Sequence, residues 1–172
     1  MPSRSAVALL LVLGALFATI AAADSAVMRW QFSYKGPRVT ARGVLETAAE
    51  PEADGSYRIL SITGKRNGKR IVELLPEGEM LTSEEQFMFA DNRLLPASPY
   101  MTEAGFSYRT SDSKYFNVCH AGEGGYCGRE GYREFDGRKG GRYVDFELAR
   151  IPDETPVATP AASAEPGIID PG

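Results

Sequence analysis

Residues 62–71 read Ile62-Thr63-Gly64-Lys65-Arg66-Asn67-Gly68-Lys69-Arg70-Ile71, and the pair Asn67-Gly68 decides the fold class. Asn-Gly is the dipeptide that best tolerates positive φ at both centres of a type I′ turn, the turn whose twist matches its flanking strands. A hairpin is therefore predicted here, with Ile71 to Leu75 as its second arm.

Working outward, the same strand chemistry continues on both sides. Trp30, Phe32 and Tyr34 alternate with Arg29, Gln31, Ser33 and Lys35, the period of two that marks a strand buried on one face. From Arg38 to Glu46, the apolar Val39, Ala41 and Leu45 face one way, and Arg38, Thr40, Arg42 and Glu46 the other. Glu50 to Gly55 reads as a turn and Ser56 to Thr63 as a third strand. Beyond Gly105, Phe106 and Tyr108 alternate with Ser107 and Arg109, and Phe116 and Val118 with Tyr115, Asn117 and Cys119. Near the end, Val144, Phe146 and Leu148 oppose Tyr143, Asp145 and Glu147, with one more hairpin expected around Gly131 and Tyr132. Pro76 to Gln86 is the one stretch with a helix signal, the capping-box spacing of Thr82 and Glu85, and it is long enough for a single turn. Pro96 and Pro99 impose extended or turn geometry. About eight short strands without a clear helix predict an all-β domain, either an antiparallel sandwich or a small barrel.

The ends differ from this middle. Met1 to Ala23 has one charge, Arg4, then an apolar run from Ala6 to Ile20 and the small residues Ala21-Ala22-Ala23. That is the pattern of a cleavable signal peptide. The run spans only about 22 Å as a helix, short of a roughly 30 Å hydrocarbon core, so a stable membrane span after cleavage is not expected. Ile151 to Gly172 holds five prolines and four acids and no aromatic residue, a composition that predicts a disordered acidic tail. The expected organisation is thus a signal peptide at 1–23, a β domain at 24–150 and a tail at 151–172. Export predicts a secreted or periplasmic location.

The net charge of −4 argues against nucleic acid, whose phosphates the mean field repels. Basic residues bunch at Lys65-Arg66 with Lys69-Arg70, and at Arg138-Lys139 with Arg142; beside glycines, both groups read as exposed turns. Cys119 and Cys127 are the only cysteines, and an even count in an exported chain predicts a disulfide. The rival is a metal site of Cys119, His120 and Cys127, for which no fourth ligand is legible.

The central hairpin resembles the ITGxRNGxxI hairpin of secreted bacterial proteins of the PEP-CTERM sorting class. Later features follow a similar order: Leu74-Leu75-Pro76, Asp91-Asn92, Leu94-Leu95-Pro96, Ser98-Pro99, Ala104-Gly105-Phe106-Ser107-Tyr108 and a Tyr-rich end. The resemblance runs from about Trp30 to Leu148 and implies an extracellular β domain, with no catalytic residue to carry over. A sorted member would end in Val-Pro-Glu-Pro, an apolar helix and a basic cluster; here Glu165-Pro166 leads into Gly167-Ile168-Ile169-Asp170, so the sorting tail is not expected.

Chemistry is sparsely signalled. His120 is the single histidine, and Gly105-Phe106-Ser107-Tyr108-Arg109 lacks the final glycine of a nucleophile elbow. Glu84, Glu85, Glu130 and Glu134 read as solvated charges, and no cofactor is implied. Tyr126, Tyr132 and Tyr143, near Arg129 and Arg133, are the candidate ligand contacts, able to stack on a sugar or anchor a protein. Against that stands the ordinary packing of strand tyrosines across their neighbours. The function expected is a non-enzymatic exported domain binding a glycan or protein at the cell surface or in a matrix. The alternative is a small polysaccharide hydrolase using two carboxylates, and a third class is a component that polymerises through strand edges.

Overall fold

The structure is a computed structural model that describes residues 26–81, 87–122, 127–128, 130–136 and 141–153. The expected signal peptide lies outside the described residues, as does 154–172 of the expected tail. The strands are β1 (Val27–Gly36), β2 (Val39–Ala48), β3 (Tyr57–Arg66), β4 (Lys69–Leu74), β5 (Gly78–Leu81), β6 (Phe87–Ala90), β7 (Arg93–Leu94), β8 (Phe106–Thr110), β9 (Tyr115–His120), β10 (Tyr132–Phe135) and β11 (Arg142–Ile151).

Of the two expected architectures, the chain adopts the barrel. β1, β2, β3, β4, β8, β9, β10 and β11 pair antiparallel in chain order, and β11 returns to β1 with Phe32 opposite Leu148. Closure leaves these eight strands without a free edge. The apolar alternation read from β1 and β2 faces the lumen: Trp30, Phe32, Tyr34, Val39, Ala41 and Leu45 are buried. An eight-stranded barrel is just wide enough inside to be filled by side chains or to hold one small ligand. Aromatic rings fill this one, with Phe32 6.2 Å from Phe106 and 6.3 Å from Phe146 between centroids. Gly43 and Gly64 face each other across β2 and β3. A Cβ on Gly43 would lie 1.9 Å from the Thr63 carbonyl oxygen and 2.9 Å from the Phe32 ring, so the backbone approach there requires glycine.

In the stretch with the helix signal, Gly78–Leu81 form β5, paired with β6 from Gly78↔Ala90 to Leu81↔Phe87; Thr82 and Glu85, which carry the signal, lie outside the described residues. The outer faces of β8 and β9 are partly covered. The Leu75 N–H donates to the Ser107 carbonyl, and Asn117 Nδ2 donates to the carbonyls of Phe89 and Ala104, both at 2.9 Å. Ser107, Asn117 and Cys119 are buried in consequence. The Cys119–Cys127 disulfide is present, with Cα atoms 5.9 Å apart.

The predicted turn is where the sequence placed it. Asn67 and Gly68 have φ of 46° and 78°, and Asn67 does a second job. Its Oδ1 accepts from the Thr40 N–H at 2.8 Å and its Nδ2 donates to the Arg38 carbonyl at 3.0 Å, tying this turn to the β1–β2 turn. No atom lies within 4 Å of a Cβ built on Gly68, so substitution there meets a conformational cost and no clash. Gly68→Val is expected to lower unfolding free energy by about 1–2 kcal/mol, read as a lower urea midpoint at unchanged slope.

Candidate functional site

Strand alternation divides the consecutive bases of the hairpin. Lys65 points out and Arg66 points into the lumen, so the expectation that this basic run is an exposed turn holds for Lys65, Lys69 and Arg70 and fails for Arg66. The reason is Glu134 on β10, expected to be solvated and in fact fully buried. Arg66 Nε and Nη2 grip its two carboxylate oxygens at 2.6 and 2.7 Å. Arg142 Nη1 adds a contact at 3.1 Å and bonds Asp136 at 2.7 Å through Nη2. Tyr34 donates to Glu134 Oε1 at 2.6 Å. Because that uses its single hydrogen, Tyr108 is the donor in the Tyr34–Tyr108 hydroxyl contact. Four donors on two oxygens satisfy the carboxylate, and the Arg66 guanidinium also lies 3.6 Å above the Phe116 ring.

Burial acts first on this cluster. It pushes the Tyr34 hydroxyl well above the usual phenol range, with Tyr108 and the Glu134 charge adding to it. Tyr108 is raised by the same burial and the same carboxylate. For Arg66, burial works against the charge but the Glu134 partnership outweighs it and the net shift is upward. Among the described residues, the lumen thus holds charged and hydroxyl groups that satisfy one another.

The tyrosines singled out from sequence do not assemble into one surface. Tyr126 lies outside the described residues. Tyr132 is opposite Val144 and faces inward, its ring 5.3 Å from Phe146 and its hydroxyl accepting the Tyr100 N–H at 2.8 Å. Tyr143, the partner of Arg133, is on the outer face and 53% exposed, with the Arg133 guanidinium 4.1 Å above its ring. The two sit on opposite sides of the barrel wall.

An open groove of about 570 Å³ crosses the outer faces of β11, β1, β2 and β3. Register arranges its side chains in two rows. One runs Lys65, Arg42, Ser33, Glu147 and the other Asn67, Thr40, Lys35, Asp145. Tyr34 and Ala41 also border it, but their side chains belong to the core. Lys65 and Arg42 are direct cross-strand partners, a like-charge juxtaposition that costs stability. Among the described residues, neither they nor Lys35 make an ion pair, whereas Arg58, Arg93 and Arg109 each do. Ser33 Oγ donates to Glu147 at 3.1 Å. Nothing in the sequence marked this groove, since its two rows meet only through the pairing of β11 with β1 and of β2 with β3. No family model, no curated protein and no solved structure matches the chain.

Glu134→Gln leaves two arginines facing a neutral amide in the lumen and is expected to cost about 3–5 kcal/mol. Adding Arg66→Met should recover part of that loss, a non-additivity that urea denaturation of the single and double variants measures. The tyrosines fix a second expectation. An unfolded phenol titrates near pH 10, so below that pH both states keep these protons and stability is unaffected. Above it, only the unfolded chain releases them, so stability falls with pH by up to about 1.4 kcal/mol per unit for each tyrosine. Tyr34→Phe should make that alkaline decline shallower by about one proton, measured as the slope of unfolding free energy from pH 10 upward.

Proposed function

We propose that this chain is an exported, non-enzymatic β-barrel domain that binds a surface or matrix component through the outer groove of β11, β1, β2 and β3. The carrying observation is the contrast between the two faces of the wall. Inside, the charged side chains of the Glu134 cluster have partners; outside, Lys35, Arg42 and Lys65 border an open groove and make no ion pair among the described residues. Lys35 stands across from Asp145, but Arg42 and Lys65 face each other, so an anionic ligand can approach them without displacing a close ion pair of the described residues. The disulfide, the signal-like first 23 residues and the resemblance to the PEP-CTERM class support a setting outside the cytoplasm.

One observation favours the hydrolase as a second reading. Asp145 and Glu147 share the outer face of β11 in the same groove, about 7 Å apart along the strand, a separation a carboxylate pair could use. Both are exposed, however, and a general acid is ordinarily held protonated by an apolar surrounding.

Thr40→Trp puts a bulky ring into the groove from an exposed position. It is expected to abolish capture on a glycan array and on immobilised cell-surface material, while Leu60→Ser, at the far end of β3, leaves capture unchanged. Capture that survives Thr40→Trp, or polysaccharide turnover lost in Asp145→Asn, would overturn the proposal.

A further inference from the structure

From the charge layout of the groove we infer its ligand class: an acidic polysaccharide in which a charged sugar neighbours a neutral one. This inference rests on the groove being the binding site.

The two rows grade from positive to negative across four strands. Lys65 and Arg42 stand on β3 and β2, Lys35 on β1, and Asp145 and Glu147 on β11. Three strand spacings of about 4.8 Å separate the ends, or about 14 Å. An anionic group is attracted at the β2–β3 end, where two adjacent cations make no ion pair among the described residues. A second anionic group 14 Å away would meet two exposed carboxylates and be repelled. What fits at that end is a neutral, hydroxyl-bearing unit, because carboxylates only accept hydrogen bonds and sugar hydroxyls donate them. The hydroxyl of Thr40 adds a neutral donor and acceptor between the two ends.

The same layout argues against other occupants. The side chains presented to the groove are polar or charged, so it lacks the apolar centre by which protein partners are anchored. Among the described residues, no side chain facing it offers an aromatic platform of the kind that stacks nucleobases, and a uniformly charged phosphate backbone would meet the Asp145–Glu147 wall. An alternating acidic glycan meets both ends without conflict.

The test uses the purified full chain and three immobilised polymers: hyaluronan, which alternates a uronate with a neutral amino sugar; polygalacturonate, charged at every unit; and neutral dextran. Hyaluronan should bind best, weaken with added salt, and lose about tenfold in affinity in Arg42→Ala/Lys65→Ala. Asp145→Asn/Glu147→Gln should raise affinity for polygalacturonate several-fold with the fold intact by circular dichroism. Binding of dextran as tight as hyaluronan, polygalacturonate preferred by the unaltered chain, or no binding of hyaluronan overturns the inference. If Thr40→Trp still abolishes capture of some other glycan, the groove remains the site and only its ligand class falls. If binding to every polymer survives Thr40→Trp, the groove itself falls.

Discussion

A carboxylate removed from water must be compensated where it lies, and Glu134 is compensated by groups from four other strands. Tyr34 comes from β1, Arg66 from β3, Arg142 from β11, and Tyr108 from β8 through the Tyr34 hydroxyl. The desolvation penalty for such a pair is several kcal/mol per ion and is recovered only with good geometry. That geometry exists in one register of the closed barrel. A one-residue slip of β10 against β9 would turn Glu134 out to solvent and leave Arg66 buried without its partner. Replacement of a buried pair by apolar residues is often neutral or stabilising, so what the cluster supplies on this argument is register more than net stability.

The lumen and the outer wall obey opposite rules for the same physical reason. Inside, an unpaired charge is expensive, so Arg66 and Glu134 complete each other and Arg142 is shared with Asp136. Outside, water solvates a lone ammonium or guanidinium, so Lys65 and Arg42 can stand side by side at modest cost. Adjacent bases in the sequence, Lys65 and Arg66, therefore serve different purposes because the strand period sends them to different faces. Arg66 holds Glu134 in the lumen, and Lys65 faces the groove.

The strand alternation and the Asn67-Gly68 turn were legible because both follow from local rules of period and backbone conformation. Apolar lumen residues such as Phe32, Leu45 and Phe146 could be read in the same way. What depends on non-local pairing could not. Glu134 looks like any solvated acid until barrel closure sets it against Arg66, 68 residues away. Ser107 and Asn117 follow the pattern of a solvated face, and contacts from Leu75, Phe89 and Ala104, distant in sequence, cover them. The candidate ligand tyrosines stand at expected outward or loop positions, but the side of the wall depends on strand pairing: Tyr132 and Tyr143 sit on cross-strand neighbours one position out of phase.

The groove inherits its dimensions from the core. Gly43 and Gly64 bring β2 and β3 together over the Phe32 ring, and Asn67 fastens the β3–β4 turn to the β1–β2 turn. The backbone positions of Arg42 and Lys65 are thus fixed before any ligand arrives, which removes one cost of association. Their long side chains are not fixed, and ordering each takes about 0.5–1.5 kcal/mol, comparable with what an exposed ion pair returns. A single charged sugar would accordingly gain little here. A polymer that repeats the unit along its length keeps a high effective concentration near the groove after each release, so repetition in the partner supplies the avidity that one weak site lacks.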